Sequence, residues 1–138
     1  MKNLLLVLFG LMILSGCSGS GGGSTAGSSG HAAPYYISGT VQDNNYPGAS
    51  RQIHLVVDND TTIGNGNVAE NAILGTTGVS MSVTGLAAGT YFVYAWKDVD
   101  VNGVFGSGDN YTGSPITVVV TNDDVILGSN VLLDTVQP

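Results

Sequence analysis

Apolar and polar residues alternate with a period of two along several short segments of the chain. The clearest case is VSMSVT, in which Val79, Met81 and Val83 alternate with hydroxyl side chains. Similar alternation occurs at residues 35–41 and 53–57. A period of two is typical of β-strands that bury one face, so each of these segments predicts a strand.

Runs of aromatic and β-branched residues predict further strands at 91–96, 116–120, 125–127, 131–133 and, from a weaker pattern, 69–74. Turn-forming residues separate them, and the sequence TNDD at 121–124 predicts a tight turn. After Cys17 no segment has a convincing 3.6-residue period. Short strands divided by frequent turns predict an all-β antiparallel sandwich of about seven strands. The residues expected to fill its core are Ile37, Val41, Ile53, Leu55, Val79, Met81, Val83, Leu86, Val118 and Val120.

One segment resembles a known family. The sequence VSMSVTGLAAGTY at 79–91 has the apolar alternation followed by Gly-Leu and Gly-Thr-Tyr of transthyretin-like, carboxypeptidase-regulatory-like modules. The resemblance extends over residues 35–134 and implies a Greek-key β-sandwich. Most modules of this family are non-catalytic. The hydroxyisourate hydrolases, an enzymatic branch, end in Tyr-Arg-Gly-Ser, whereas this chain ends LDTVQP. The resemblance therefore implies no such activity.

The N-terminus has the pattern of a secretory signal. Lys2 supplies a positive charge, and an apolar run follows at 4–14. This run is too short to span a bilayer, which takes about 20 apolar residues. The sequence LSGC at 14–17 resembles the lipobox of bacterial lipoproteins. That resemblance implies cleavage before Cys17 and acylation of its thiol and amine. An ordinary signal peptide with a chance cysteine is the alternative.

Three regions are expected from this pattern. Residues 1–16 are the signal peptide, residues 17–32 are a lipidated cysteine with a flexible Gly/Ser-rich linker, and residues 33–138 are the β-sandwich domain. The only cysteine is Cys17, so no intramolecular disulfide can form. Ser18 after the cysteine resembles the default for sorting to the outer membrane. We therefore expect a bacterial envelope protein held to the membrane by its lipid.

Charge narrows the class of partner. The chain has a formal net charge of −7, and after Lys2 its strong bases are Arg51 and Lys97 against ten acidic residues. A nucleic-acid ligand needs a basic surface, so none is expected. The remaining expectation is an unidentified protein or glycan partner, besides the membrane reached through the lipid.

Acidic residues concentrate in one loop. The sequence DVDVNGVFGSGD at 98–109 fits the calcium-loop pattern D-x-[DN]-x-[DN]-G-x₅-E, with aspartate in place of the final glutamate. In that pattern alternate side chains and one backbone carbonyl surround the ion, and the glycine allows a sharp turn. Hard oxygen ligands of this kind suit calcium. The predicted ligands are Asp98, Asp100, Asn102, the carbonyl of Val104, and Asp109.

Loops of this kind that end in aspartate also resemble those of dockerins and of the B-type repeats of Gram-positive adhesins. The resemblance is confined to the loop and implies no cohesin binding. The alternative is a metal-free loop, whose Asp, Asn and Gly serve turn conformations. Asp58 and Asp60 form a second, weaker acidic pair, which approaches the site or forms a turn at the end of a strand.

Aromatic residues on one strand offer a different function. Phe92, Tyr94 and Trp96 share one face. Exposed, Tyr94 and Trp96 would make carbohydrate contacts, as in a sugar-binding module. The alternative is that nearby loops cover these rings. A catalytic set is not expected, since the sequence has no Gly-x-Ser-x-Gly elbow and its only cysteine is the expected lipid site.

Overall fold

The computed structural model describes residues 33–138; the predicted signal peptide, Cys17 and the linker lie outside them. This part of the chain contains no helix, and therefore none long and apolar enough to cross a membrane. It forms ten strands: β1 Tyr35–Asp43, β2 Arg51–Asp58, β3 Ala69–Gly75, β4 Val79–Leu86, β5 Gly89–Lys97, β6 Asn110–Tyr111, β7 Ile116–Val120, β8 Val125–Ile126, β9 Val131–Leu133 and β10 Thr135–Val136.

The strands form two sheets. In the smaller sheet β1 lies between antiparallel β4 on one side and parallel β8 and β9 on the other. The larger sheet has the order β10-β6-β5-β2-β3, and β7 also pairs with β5. All pairings in the larger sheet are antiparallel. The all-β sandwich expected from the sequence is thus confirmed.

The hydrophobic core lies between the sheets. It buries alternate residues of β1, β2, β4, β5, β7 and β9, as the period of two predicts. Nine of the ten expected core residues are buried, and Val79 is partly buried at the start of β4. The predicted strand at 69–74 is also present, as β3.

Three features of the fold were not predicted. β6 and β10 are two-residue strands, too short to show a period. The TNDD turn leads from β7 in the larger sheet to β8 in the smaller sheet. β8 and β9 then run parallel to β1. Each feature depends on pairing between segments far apart in sequence, which a local pattern does not encode.

Candidate metal centre

The acidic loop connects β5 to β6 at one end of the larger sheet. Its base is closed by Lys97 and Asn110, which are register partners on these two strands. The first loop residue, Asp98, continues the ladder by donating its backbone N–H to Gln52 O at 3.0 Å. At the other end, Gln137 N donates to Asp109 O at 2.8 Å. Both ends of the loop are therefore fixed by backbone hydrogen bonds.

Three carboxylates of this loop converge. One oxygen from each of Asp98, Asp100 and Asp109 lies within 4.8 Å of the others. Asp98 is 3% exposed and Asp109 is fully buried, whereas Asp100 is exposed. Asp98 and Asp109 stand at opposite ends of the loop, so the fold brings together the residues that the calcium-loop spacing singled out.

Loop amides hold the two buried carboxylates in place. Asp98 accepts from the backbone N–H of Asn102 at 3.1 Å and of Gly103 at 2.9 Å. Asp109 accepts from Val99 N and Gly106 N, both at 2.9 Å. These four bonds fold the loop around its acidic residues.

The other two predicted ligands lie in the same turn. Asn102 Nδ2 donates to Asp100 Oδ2 at 2.6 Å, and Asn102 Oδ1 accepts from Val104 N at 2.7 Å. The Val104 side chain has no ligand atom, so its backbone carbonyl is the group that it can offer an ion. Gly103 has a φ of 76°, the left-handed conformation that the pattern requires of its glycine. Val101 has a φ of 65°, which is rare for a β-branched residue.

The charge of the three carboxylates is not balanced by side chains. Among residues 33–138, neither strong base forms an ion pair with them. Arg51 Nε donates to Val99 O at 3.2 Å, and Lys97 is paired with Asp43. Three close negative charges repel one another, and a hard divalent cation would relieve that repulsion. The oxygen ligands available fit calcium.

The second acidic pair does not join this cluster. Asp58 is the register partner of Phe92, which lies near the first residues of β5, whereas Lys97 is the last residue of that strand. Its Oδ2 atom is buried and has no hydrogen-bond partner among the described residues. Asp60 is exposed, and hydrogen bonds from the Thr62 backbone and the Asn65 amide lower its pKa. The carboxylates that come together in the described part of the chain are those of the 98–109 loop.

Loops cover the aromatic face of β5. Tyr94 is 3% exposed and Trp96 is 6% exposed, and both pack with Ile63 and Phe105 from the loops after β2 and β5. The alternative in which loops cover these rings is therefore confirmed. Tyr94 and Trp96 are not an exposed platform for a sugar, and the cavity beside them is small, about 130 Å³.

Sequence patterns missed two interactions beside the site. His54 stacks on Trp96 at 3.8 Å between ring centroids and also pairs with Glu70. Lys97 is fully buried and pairs with Asp43. The burial of Lys97 could have been predicted from the alternation along β5. Tyr91, Val93 and Ala95 all face the core, and Lys97 is the next residue on that face.

No protein-family model, no curated protein and no solved structure matches the chain.

Proposed function

We propose that the chain is a lipid-anchored bacterial envelope protein that displays a non-catalytic β-sandwich with a calcium-stabilised loop, as a binding or structural module. Its calcium ligands are Asp98, Asp100, Asp109, Asn102 and the Val104 carbonyl. The convergence of three carboxylates from both ends of the loop, two of them buried, carries the calcium part of the proposal. The LSGC sequence at 14–17 supports the lipid anchor. The partner of the displayed domain would be a protein or a glycan.

Calcium would act as a structural ion. It neutralises the mutual repulsion of the three carboxylates and fixes their geometry. Extracellular calcium modules commonly bind at about 10⁻⁴–10⁻³ M, so the site would fill in a millimolar environment. At one hundred times the dissociation constant, binding stabilises a protein by about 2.7 kcal/mol. A domain of this size gains about 4–8 °C in Tm for each kcal/mol, so full stabilisation corresponds to a rise of roughly 11–22 °C.

Calorimetry of the purified chain with calcium and with chelator tests the ion. Asp100→Asn is the sharpest variant, because Asp100 is exposed and its loss leaves the backbone bonds to Asp98 and Asp109 intact. It should remove most of the calcium-dependent rise in Tm and leave the calcium-free Tm equal or slightly higher. Asp60→Asn, an exposed acid outside the cluster, is the control. Equal melting of the wild type in calcium and chelator, without heat on titration, would show that the loop is a metal-free turn.

The anchor is tested separately. With acylation at Cys17, the wild-type protein partitions into a detergent phase, because two or more acyl chains give stable attachment. Cys17→Ser should leave the protein soluble or as unprocessed precursor. A processed Cys17→Ser protein, without residues 1–16, that still partitions into detergent as the wild type does would contradict lipidation.

A further inference from the structure

Lys97 is a buried strong base in a chain that has few bases. Its Nζ donates to Asp43 Oδ2 at 2.6 Å, to Tyr46 O at 2.7 Å and to Thr76 O at 2.9 Å. Each proton of the ammonium group therefore has an acceptor, which is the condition under which a buried charge is tolerated.

The carboxylate of Asp43 also reaches the neighbouring strand. Its Oδ1 accepts from Asn110 Nδ2 at 3.2 Å and from the backbone N–H of Asn45 and Tyr46, both at 2.9 Å. Asp43 is 2% exposed, and Asn110 is fully buried. One carboxylate at the end of β1 thus binds Lys97 on β5 and Asn110 on β6, across the gap between the sheets.

These two contacts lie at the two ends of the acidic loop. Lys97 directly precedes Asp98, and Asn110 directly follows Asp109. We call the set of Asp43, Lys97 and Asn110 the buried clamp. Because Asp43 holds both residues of the register pair, it fixes the positions from which Asp98 and Asp109 enter the loop.

We propose that the buried clamp presets the separation of Asp98 and Asp109 and so sets the calcium affinity of the loop, with Asp43 and Asn110 as positioning residues. The inference rests on the proposed calcium site. An ion that finds its ligands already in place does not have to order them, and the cost of that ordering would otherwise weaken binding. Partners behind the ligands of a metal site typically change affinity by about 10- to 100-fold when they are removed.

The obvious variants remove a charge and can prevent folding. Asp43→Ala leaves the Lys97 ammonium buried without its counter-charge. Asn110→Ala avoids this difficulty, because it removes a neutral contact and leaves the Lys97–Asp43 pair in place. Thr77→Val is a matched control. Thr77 Oγ1 accepts from Asp43 N at 2.9 Å and donates to Asp43 O at 3.2 Å, so this variant disturbs the same residue away from the loop.

The experiment is a calorimetric calcium titration of the full chain, wild type and both variants, well below their melting temperatures. Amide exchange without calcium is measured beside it, at the Val99 and Gly106 N–H groups that bind Asp109. Asn110→Ala should bind calcium about 10-fold more weakly than wild type and exchange these two amides faster. Thr77→Val should keep wild-type affinity and exchange.

Two other results would overturn the inference alone, and a third would overturn the calcium site as well. If Asn110→Ala binds calcium as tightly as wild type, the clamp does not set affinity and the inference is overturned, while the calcium site stands. Equal weakening by Asn110→Ala and Thr77→Val also overturns it, since the effect would then follow general stability. No heat from the wild type overturns the proposed site itself and the inference with it.

Discussion

Phe105 packs directly over Gly64. A Cβ atom added at Gly64 would lie 2.4 Å from Phe105 Cδ1, closer than real side chains approach, and Gly64 has a φ of +82°. Phe105 in turn meets the ring of Trp96 edge-on, with centroids 5.8 Å apart. The loop after β2 and the loop after β5 therefore meet over the aromatic face of the larger sheet.

Gly64→Ala should expose Trp96. The added methyl group displaces Phe105, and the emission of Trp96, the only tryptophan, should move to longer wavelength. Gly78→Ala is the control, because Gly78 has a φ of +66° but open space around it. Both variants carry a left-handed backbone cost of about 1–2 kcal/mol. If the two emission spectra are the same, Phe105 does not depend on Gly64 for its position.

The core prediction concerns β4. Met81 and Leu86 are buried between the sheets, so truncating either one to alanine should cost about 2–5 kcal/mol in free energy of unfolding. Leu74→Ala is the matched control, since Leu74 is 70% exposed and its truncation should change stability by less than about 0.5 kcal/mol. Urea unfolding measures all three. Wild-type stability of Met81→Ala would mean that the inward face of β4 is wrong.

The two bases of the folded region should differ sharply in their contribution to stability. Lys97→Met leaves Asp43 as an uncompensated buried charge and should cost about 3–5 kcal/mol. Arg51→Met removes a partly buried side chain that donates to two backbone carbonyls and should cost much less. The double variant Asp43→Leu with Lys97→Met should recover part of the lost stability, because no unpaired charge remains. Similar urea midpoints for the two single variants would contradict the buried pair.

Tyr94 should make stability fall at alkaline pH. Burial raises the pKa of Tyr94 above the usual value of a tyrosine. A hydrogen bond from Gly64 lowers this pKa, and the charges of Asp58 and Glu70 raise it further. The folded state therefore keeps a proton that the unfolded state releases. The stability that protonated Tyr94 contributes is fully present below the pKa of tyrosine in the unfolded state. It is lost as the pH rises through the pKa of Tyr94 in the folded state.

The measurement is urea unfolding of wild type and Tyr94→Phe between about pH 9 and about pH 11. The decline in stability should be steeper in wild type, since Tyr94→Phe cannot release the proton. Tyr46→Phe, at an exposed tyrosine, should follow the wild-type curve. Parallel curves for wild type and Tyr94→Phe would rule out this contribution.

The sequence by itself determined which faces of the long strands point inward. In β4 the alternation of Val79, Met81 and Val83 with hydroxyl residues is enough, because side chains of a strand alternate between its two faces. The same local information located the acidic loop, whose carboxylates Asp98 and Asp109 do converge. That a calcium ion occupies the loop remains a prediction.

Only the tertiary structure decided what covers the outer face of the larger sheet and what surrounds Lys97. Tyr94 and Trp96 are buried because two loops from different strands fold over them, and Lys97 is neutralised by Asp43, 54 residues away in sequence. A strand pattern states that a side chain points to one face of its sheet. It does not state which distant segment will meet that side chain, because burial and charge pairing depend on contacts formed only when the two sheets and their loops come together.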